Sequence, residues 1–446
     1  MTFGCRVLRA WLLGLLAGCA LATHAACVDD AGGVSVQRAD GADAAGTSWL
    51  RIIAREAAHR SAQIGAARLL SDAAEQDIDD TKGGRLPQVS LSASVGPSYS
   101  QYAGQTIRNG NLVTGTLTVT GLIYDGGRLN YLTAYREQMA GAARYGLQAT
   151  TEEVVLEAVN TALERDRYRM QARVYQQYAS KMSCLVETLQ QIVQEDRGRS
   201  SELVQARKNQ AQAEIARDNA IAASRQIDIR LRRLIGDDIK IGEDVAGGLH
   251  ALVSAEEVLH VLEQGNDLKQ ARAQADGAQR YAEAVDAAQK PQVSWVASST
   301  DGTQSDIRSL AVQAGLSVSY SLFNGGSDKA AAAAAYKRAE AARRQYDELL
   351  NTRRAKAMEL SEVASSAMDR ARRYVDVLRD SQRVREFTYE QWSQIGRRSL
   401  FDVMSAEGDH FNLLVAYVNA LHDTFEANAQ LRSLGGGLVA WLHIEE

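Results

Sequence analysis

The 446-residue sequence predicts a mixed α/β membrane protein built from two internal repeats. Each chain would lend four β-strands to a closed barrel and continue it with very long helices. Three observations carry this. Two stretches alternate apolar and polar residues and stop at a Gly-Gly turn. Each turn opens onto a proline-free helical stretch of roughly 65 residues. The whole plan then recurs about 200 positions later.

The first of these stretches is NLVTGTLTVTGLIYDGGR, residues 111–128. Leu117, Val119, Gly121 and Ile123 fall on one face and Thr116, Thr118 and Thr120 on the other. Such period-2 alternation marks a strand between two different environments. Its echo, SLAVQAGLSVSYSLF at residues 309–323, sets Leu310, Val312, Leu316, Val318, Tyr320 and Leu322 against small polar residues. Gly126-Gly127 closes the first strand and Gly325-Gly326 the second. One Gly-Gly is a weak turn signal, but two in matched settings are a strong one.

Composition bounds the rest. With 45% hydrophobic and 24% charged residues the chain is that of an ordinary folded protein. A net charge of −5 without a basic block speaks against nucleic acid as a partner. Pro87 and Pro291 sit at the starts of predicted strands, which leaves the helices unbroken. At the N-terminus Arg6 and Arg9 precede an apolar run over residues 10–22, the pattern of an export signal and too short for a spanning helix. Cleavage after Ala25 is one reading. Leu16-Ala17-Gly18-Cys19 also resembles a lipobox, so lipid modification of Cys19 stays open beside it. The four cysteines, Cys5, Cys19, Cys27 and Cys184, make no disulfide framework.

In chain order, residues 1–25 read as the signal peptide and 26–47 as a flexible lead-in. Residues 48–235 form the first repeat: a helix, a β-hairpin, a long helix and a return helix. The hairpin strands are expected at 87–98 and from 111, joined by a polar loop over 101–111. In the long helix Met170, Val174, Tyr178, Met182, Leu185, Leu189 and Ile192 step by three or four, a coiled-coil-like seam. A Gly- and acid-rich segment, 236–254, separates the halves. The second repeat occupies 255–434, with a helix to residue 289, a strand to 299, a polar loop over 300–308 and the 309–323 strand. Residues 435–446 are a tail. KPQVS at 290–294 echoes LPQVS at 86–90, 204 positions on.

Four strands of about 10 to 14 residues match the length of tilted membrane-spanning β-strands. In lipid every backbone group needs a partner, so such a sheet must close, and four strands cannot close alone. The barrel must be shared between chains, with Leu, Val, Ile and Tyr toward lipid and Ser, Thr and Gln toward water. A soluble sandwich with one wet face would also alternate, but leaves the long helices unexplained.

These features together resemble the TolC family of trimeric outer-membrane channel proteins. The carriers are YDGG at Tyr124–Gly127, its echo FNGG at Phe323–Gly326, and the return turns SELVQAR (201–207) and SLFDVMSAE (399–407). The resemblance implies a 12-stranded barrel made by a homotrimer and continued by an α-helical tunnel across the periplasm. It also implies a periplasmic adaptor and an inner-membrane ABC transporter, or instead a proton-driven RND pump, as partners. The RGRSSELVQAR turn is most similar to the CyaE branch, which exports adenylate cyclase-type toxins by type I secretion. Drug or metal efflux is the competing cargo class, and a pore-less coiled-coil scaffold the reading from another class. By position, the resemblance makes Asp402 an acidic constriction residue, Arg398 the arginine that helps lock it, and Glu202 the acidic partner in the first repeat. Ser405 and Ser393 depart from the family pattern at a second aspartate and a tyrosine of that latch. All three charges would also serve as solvated helix-end residues. The seven histidines show no metal-ligand spacing and no nucleophile or phosphate-loop motif occurs, so neither enzyme nor cofactor is expected.

Overall fold

The computed structural model describes residues 44–102, 105–239, 249–304, 307–395 and 397–444. The predicted signal peptide with Cys19, residues 26–43 of the lead-in and Gly396 lie outside these. The helices are α1 (Ala44–Arg60), α2 (Ala62–Gly83), α3 (Arg128–Glu195), α4 (Ser200–Ile235), α5 (Ala255–Val261), α6 (Asn266–Ala287), α7 (Ser327–Glu390), α8 (Leu400–Leu434) and α9 (Leu438–Trp441). The strands are β1 (Gln88–Tyr102), β2 (Gln105–Tyr124), β3 (Gln292–Gln304) and β4 (Ile307–Ser319). Among the described residues no helix is long and apolar enough to cross a membrane.

Several boundaries differ from expectation, each for a local reason. The single helix expected before the first strand is two, because Ser61 leaves helical geometry and its hydroxyl accepts from the Ile64 N–H. Helix begins at Ala44 rather than Ser48, so the lead-in is shorter than read. Gly265 likewise splits the helix expected over 255–289 into α5 and α6. The two polar loops at the hairpin tips are largely strand. Polarity misleads there, since ladder hydrogen bonds hold the tips whatever the side chains are.

The sheet has the order β1-β2-β3-β4, antiparallel throughout. The hairpins of the two repeats therefore meet side by side through β2 and β3. Register puts Leu91, Leu117, Ser299 and Val312 in one row across the sheet, and Val89, Val119, Ala297 and Ala314 in another. The opposite face carries the row Ser92, Thr116, Thr300 and Ala311, where the Thr116 and Thr300 hydroxyls hydrogen-bond at 3.1 Å. One face is thus apolar and the other hydroxyl-rich, as alternation predicted. On the apolar face Trp295 lies over Gly121, where a Cβ would fall 2.2 Å from the indole nitrogen. Glycine makes room for the ring. β1 and β4 are the edges of the sheet within the chain.

The described residues fall into two compact units. One consists of Glu164–Asp228 and Met368–His422. Its core joins Met182, Leu185, Val186 and Leu189 of α3, Ala206 of α4, and Leu400, Val403 and Met404 of α8, with Trp392. Val174, Met182, Leu185 and Leu189 of the predicted seam are fully buried. Each such aliphatic side chain is worth roughly 1.5–3 kcal/mol on burial. That packing, rather than propensity, holds helices of this length in register.

The other unit consists of Asp40–Leu163, Ile229–Ala367 and Asp423–Glu446. It contains the sheet and a helical core of Val258, Leu262, Leu268, Ala357, Leu360, Ala364, Ala427 and Leu431. The tail is folded back rather than loose. The Glu152 carboxylate accepts from the N–H groups of Leu438 and Val439 at 2.6 and 3.1 Å, at the start of α9.

Candidate functional site

Two sets of residues were singled out by sequence, the strand-to-helix junctions in one unit and the return turns in the other.

At the first junction Gly126 and Gly127 have φ of 69° and 88°, and at the second Gly325 and Gly326 have 71° and 84°. All four occupy the left-handed region that side chains disfavour. Asp125 caps α3, accepting from the N–H of Gly127 at 3.0 Å and of Leu129 at 2.6 Å. The two junctions differ in crowding. A Cβ on Gly126 would sit 2.6 Å from Lys290 Cβ and 3.0 Å from the Ala287 carbonyl oxygen, while Gly325 has open space around it. Glycine is required twice over at the first junction and only for its backbone angle at the second.

At the return turns, Arg197–Arg199 is a short 3-10 segment capped by Asp196, whose carboxylate accepts from the Gly198 N–H at 2.9 Å. Glu202 lies in the first turn of α4 and faces Arg199 at 3.3 Å. In the second repeat α7 ends in a π-helical turn, Gln391–Ile395, before the chain enters α8. π turns of this kind recur at functional positions. Asp402 is held by Ser399: its carboxylate accepts from the Ser399 N–H and hydroxyl, both at 3.1 Å. The Ser399 hydroxyl in turn accepts from the Asp402 N–H at 3.3 Å. This is a reciprocal capping box at the start of α8. Arg398 reaches Asp402 only at 4.0 Å and donates to Gln391 at 3.3 Å. Asp402 and Arg398 are neighbours. Glu202 is paired within its own turn.

A third cluster was not singled out from sequence. Arg385 of α7 donates to Glu407 of α8 at 2.8 Å, and Lys181 of α3 stands 3.9 Å from the same carboxylate. The guanidinium lies over the Phe411 ring at 5.4 Å and the ammonium over Tyr389 at 5.9 Å. Burial pushes the nearby Tyr178 phenol above its usual pKa, and the charges of Glu407 and Asp409 push it further the same way. A signal was present in the sequence. Glu407 occupies a seam position of α8 between Leu400, Val403, Met404 and Phe411, where an ionisable side chain needs a buried partner. Among the described residues no cluster of His, Cys, Asp and Glu is arranged to hold a metal ion.

Comparison with known proteins accords with this geometry. No curated protein sequence matches the chain. Among solved structures the fold is similar to that of CusC, in work on its folding and transmembrane channel formation, with TM-score 0.76 and 16% identity over 87% of this chain and 92% of that one. It is similar also to VceC of Vibrio cholerae, an outer membrane protein, with TM-score 0.75 and 18% identity over 87% and 96%. The CmeC outer membrane channel of Campylobacter jejuni gives TM-score 0.74 and 15% identity over 86% and 85%. The model of the outer membrane efflux protein family matches residues 53–237 and 259–437, one match in each repeat and most of the chain in total. The chain belongs to the outer membrane efflux protein family.

Proposed function

We propose that this chain, as a homotrimer, forms the outer-membrane exit duct of a tripartite type I secretion system. A periplasmic adaptor and an inner-membrane ABC transporter would recruit and open it, and a protein toxin would pass to the exterior. The observation that carries the duct is the sheet. It is a four-stranded antiparallel layer with one apolar face, one hydroxyl-rich face and open edges at β1 and β4. Long unpaired edges are not tolerated in lipid and invite pairing elsewhere. Pairing β4 of one copy with β1 of the next satisfies both edges, and three copies supply twelve strands. The support for a protein cargo is narrower: it is the resemblance of the RGRSSELVQAR turn to the CyaE branch.

In a trimer the second return turn would recur three times about the axis. Three Asp402 carboxylates there would repel one another unless screened or bound to cations, which favours cation passage and a gate. Arg398 and Glu202 would set how tightly the turns close.

Planar-bilayer recording on detergent-purified protein, with oligomer mass measured on the same preparation, tests the duct. Small cation-selective steps from a trimer are expected; a silent monomer would sink the reading. Cargo is separated by co-expression. Restored toxin export with an ABC transporter and adaptor supports secretion, whereas restored drug or metal tolerance with a proton-driven pump assigns the duct to efflux.

A further inference from the structure

Four basic residues stand together where the sheet gives way to helix. In each repeat one precedes the proline that opens the first strand, and one lies in the first turn of the long helix. They are Arg85 and Arg128, then Lys290 and Lys329. Hydrogen bonds bring the four segments to one level. Lys290 donates to the Gly126 carbonyl at 3.4 Å, Arg85 to the Asn130 side-chain oxygen at 2.6 Å, and Gln289 to the Asp328 carbonyl at 3.3 Å. We propose that this layer docks the headgroups of anionic phospholipids on the periplasmic leaflet of the outer membrane. The proposal rests on the reading above that the sheet lies in that membrane.

All four side chains are exposed. Among the described residues none of the four forms an ion pair. Ion pairs begin further into the helices, Lys82 with Glu137 at 3.8 Å, Arg136 with Asp77 at 3.2 Å and Lys337 with Glu340 at 3.0 Å. An anionic lipid surface attracts such unpaired cations, by about fivefold in partition for each.

Residues 85–87, 125–130, 289–291 and 324–329 hold four cations and two carboxylates, Asp125 and Asp328. The Asp125 carboxylate already accepts from the N–H groups of Gly127 and Leu129. In a ring about one axis each copy presents the same segments at the same height. A second copy therefore adds the same excess of positive charge, and assembly leaves the layer cationic.

The apolar face of the sheet ends at this level too. Ile123 near the end of β2, and Tyr320 and Leu322 just past β4, are exposed. Apolar side chains followed at once by cations match the boundary between acyl chains and headgroups. There the stems of Arg and Lys lie along the apolar zone and their charges reach the phosphates. A free inorganic anion would need only the cations.

The test is tryptophan quenching by brominated lipid, with the full chain reconstituted in phosphatidylcholine vesicles. Trp295 lies on the apolar face of β3, and among the described residues it is the only tryptophan in the sheet. Dibrominated phosphatidylglycerol and dibrominated phosphatidylcholine are titrated separately, and the two curves give the relative affinity for lipid beside the sheet. At low salt a preference for phosphatidylglycerol of about fivefold or more is expected, and about 1 M salt should bring it toward one. Arg85→Gln/Arg128→Gln and Lys290→Gln/Lys329→Gln should each lower the preference. Arg136→Gln, which removes a cation already paired, should keep it. Equal quenching by the two lipids, or a preference unchanged in both double variants, overturns the layer and leaves the sheet in lipid. No quenching by either lipid sinks the membrane placement itself, and the layer with it.

Discussion

Arg385 and Glu407 form an ion pair at 2.8 Å between α7 and α8, with side chains only 6% and 2% exposed. A pair so fully removed from water carries a large desolvation cost that each partner offsets for the other. Removing one partner therefore costs more than the pair itself contributes. Arg385→Ala and Glu407→Ala should each destabilise the unit by about 3–5 kcal/mol. Because Lys181 stands on the same carboxylate, the triple replacement Lys181→Met/Arg385→Met/Glu407→Leu should recover much of that loss. Hydrogen exchange on the α7 and α8 amides would read both. A single variant with unchanged protection would mean that the pair is screened by water.

Alkaline pH should loosen the same unit through Tyr178. Its phenol pKa is raised by burial first and then by the charges of Glu407 and Asp409. A raised pKa means that the folded state holds the proton more tightly. The contribution is complete below the unfolded value near 10 and is lost as pH rises through the higher folded value. The Tyr178→Phe variant should show a shallower fall of thermal midpoint above about pH 10. Equal slopes for the two proteins would remove Tyr178 from the alkaline transition.

The two glycine junctions should respond unequally. Gly325→Ala adds a Cβ in open space and meets only the cost of a left-handed backbone, about 1–2 kcal/mol. Gly126→Ala meets that cost and a clash with Lys290 and the Ala287 carbonyl. Gly126→Ala should therefore lower the melting temperature of the purified protein markedly and Gly325→Ala slightly. The opposite order would mean that the first junction relaxes freely.

Asp402 has a structural and a proposed electrostatic role, and these separate by substitution. Asp402→Ala removes the charge and the carboxylate half of the capping box, leaving the Ser399 hydroxyl on the residue-402 N–H, and the lost hydrogen bond to the Ser399 N–H costs about 1 kcal/mol. Asp402→Gln keeps a capping-box acceptor without the charge. Both variants should weaken cation preference and raise conductance in bilayers, while only the alanine frays the start of α8. If current and selectivity are unchanged in both, Asp402 acts solely as a cap.

Much of this protein was determined by its sequence alone, because the relevant physics is local. Alternation over residues 111–124 specifies a two-faced strand from backbone geometry, and Gly126 and Gly325 mark positions that only a residue without Cβ adopts readily. The proline-free stretches specify long helices, and the echo of LPQVS in KPQVS specifies two repeats. The hairpin tips were misjudged because inter-strand pairing, not side-chain polarity, extends β1 to β4. Only the tertiary structure decided which distant elements meet. It set β2 beside β3 and Trp295 over Gly121. It brought Arg385 to Glu407 out of water. These depend on contacts between residues far apart in the chain, whose cost and gain are set by burial, and burial is not a property that any short stretch carries by itself.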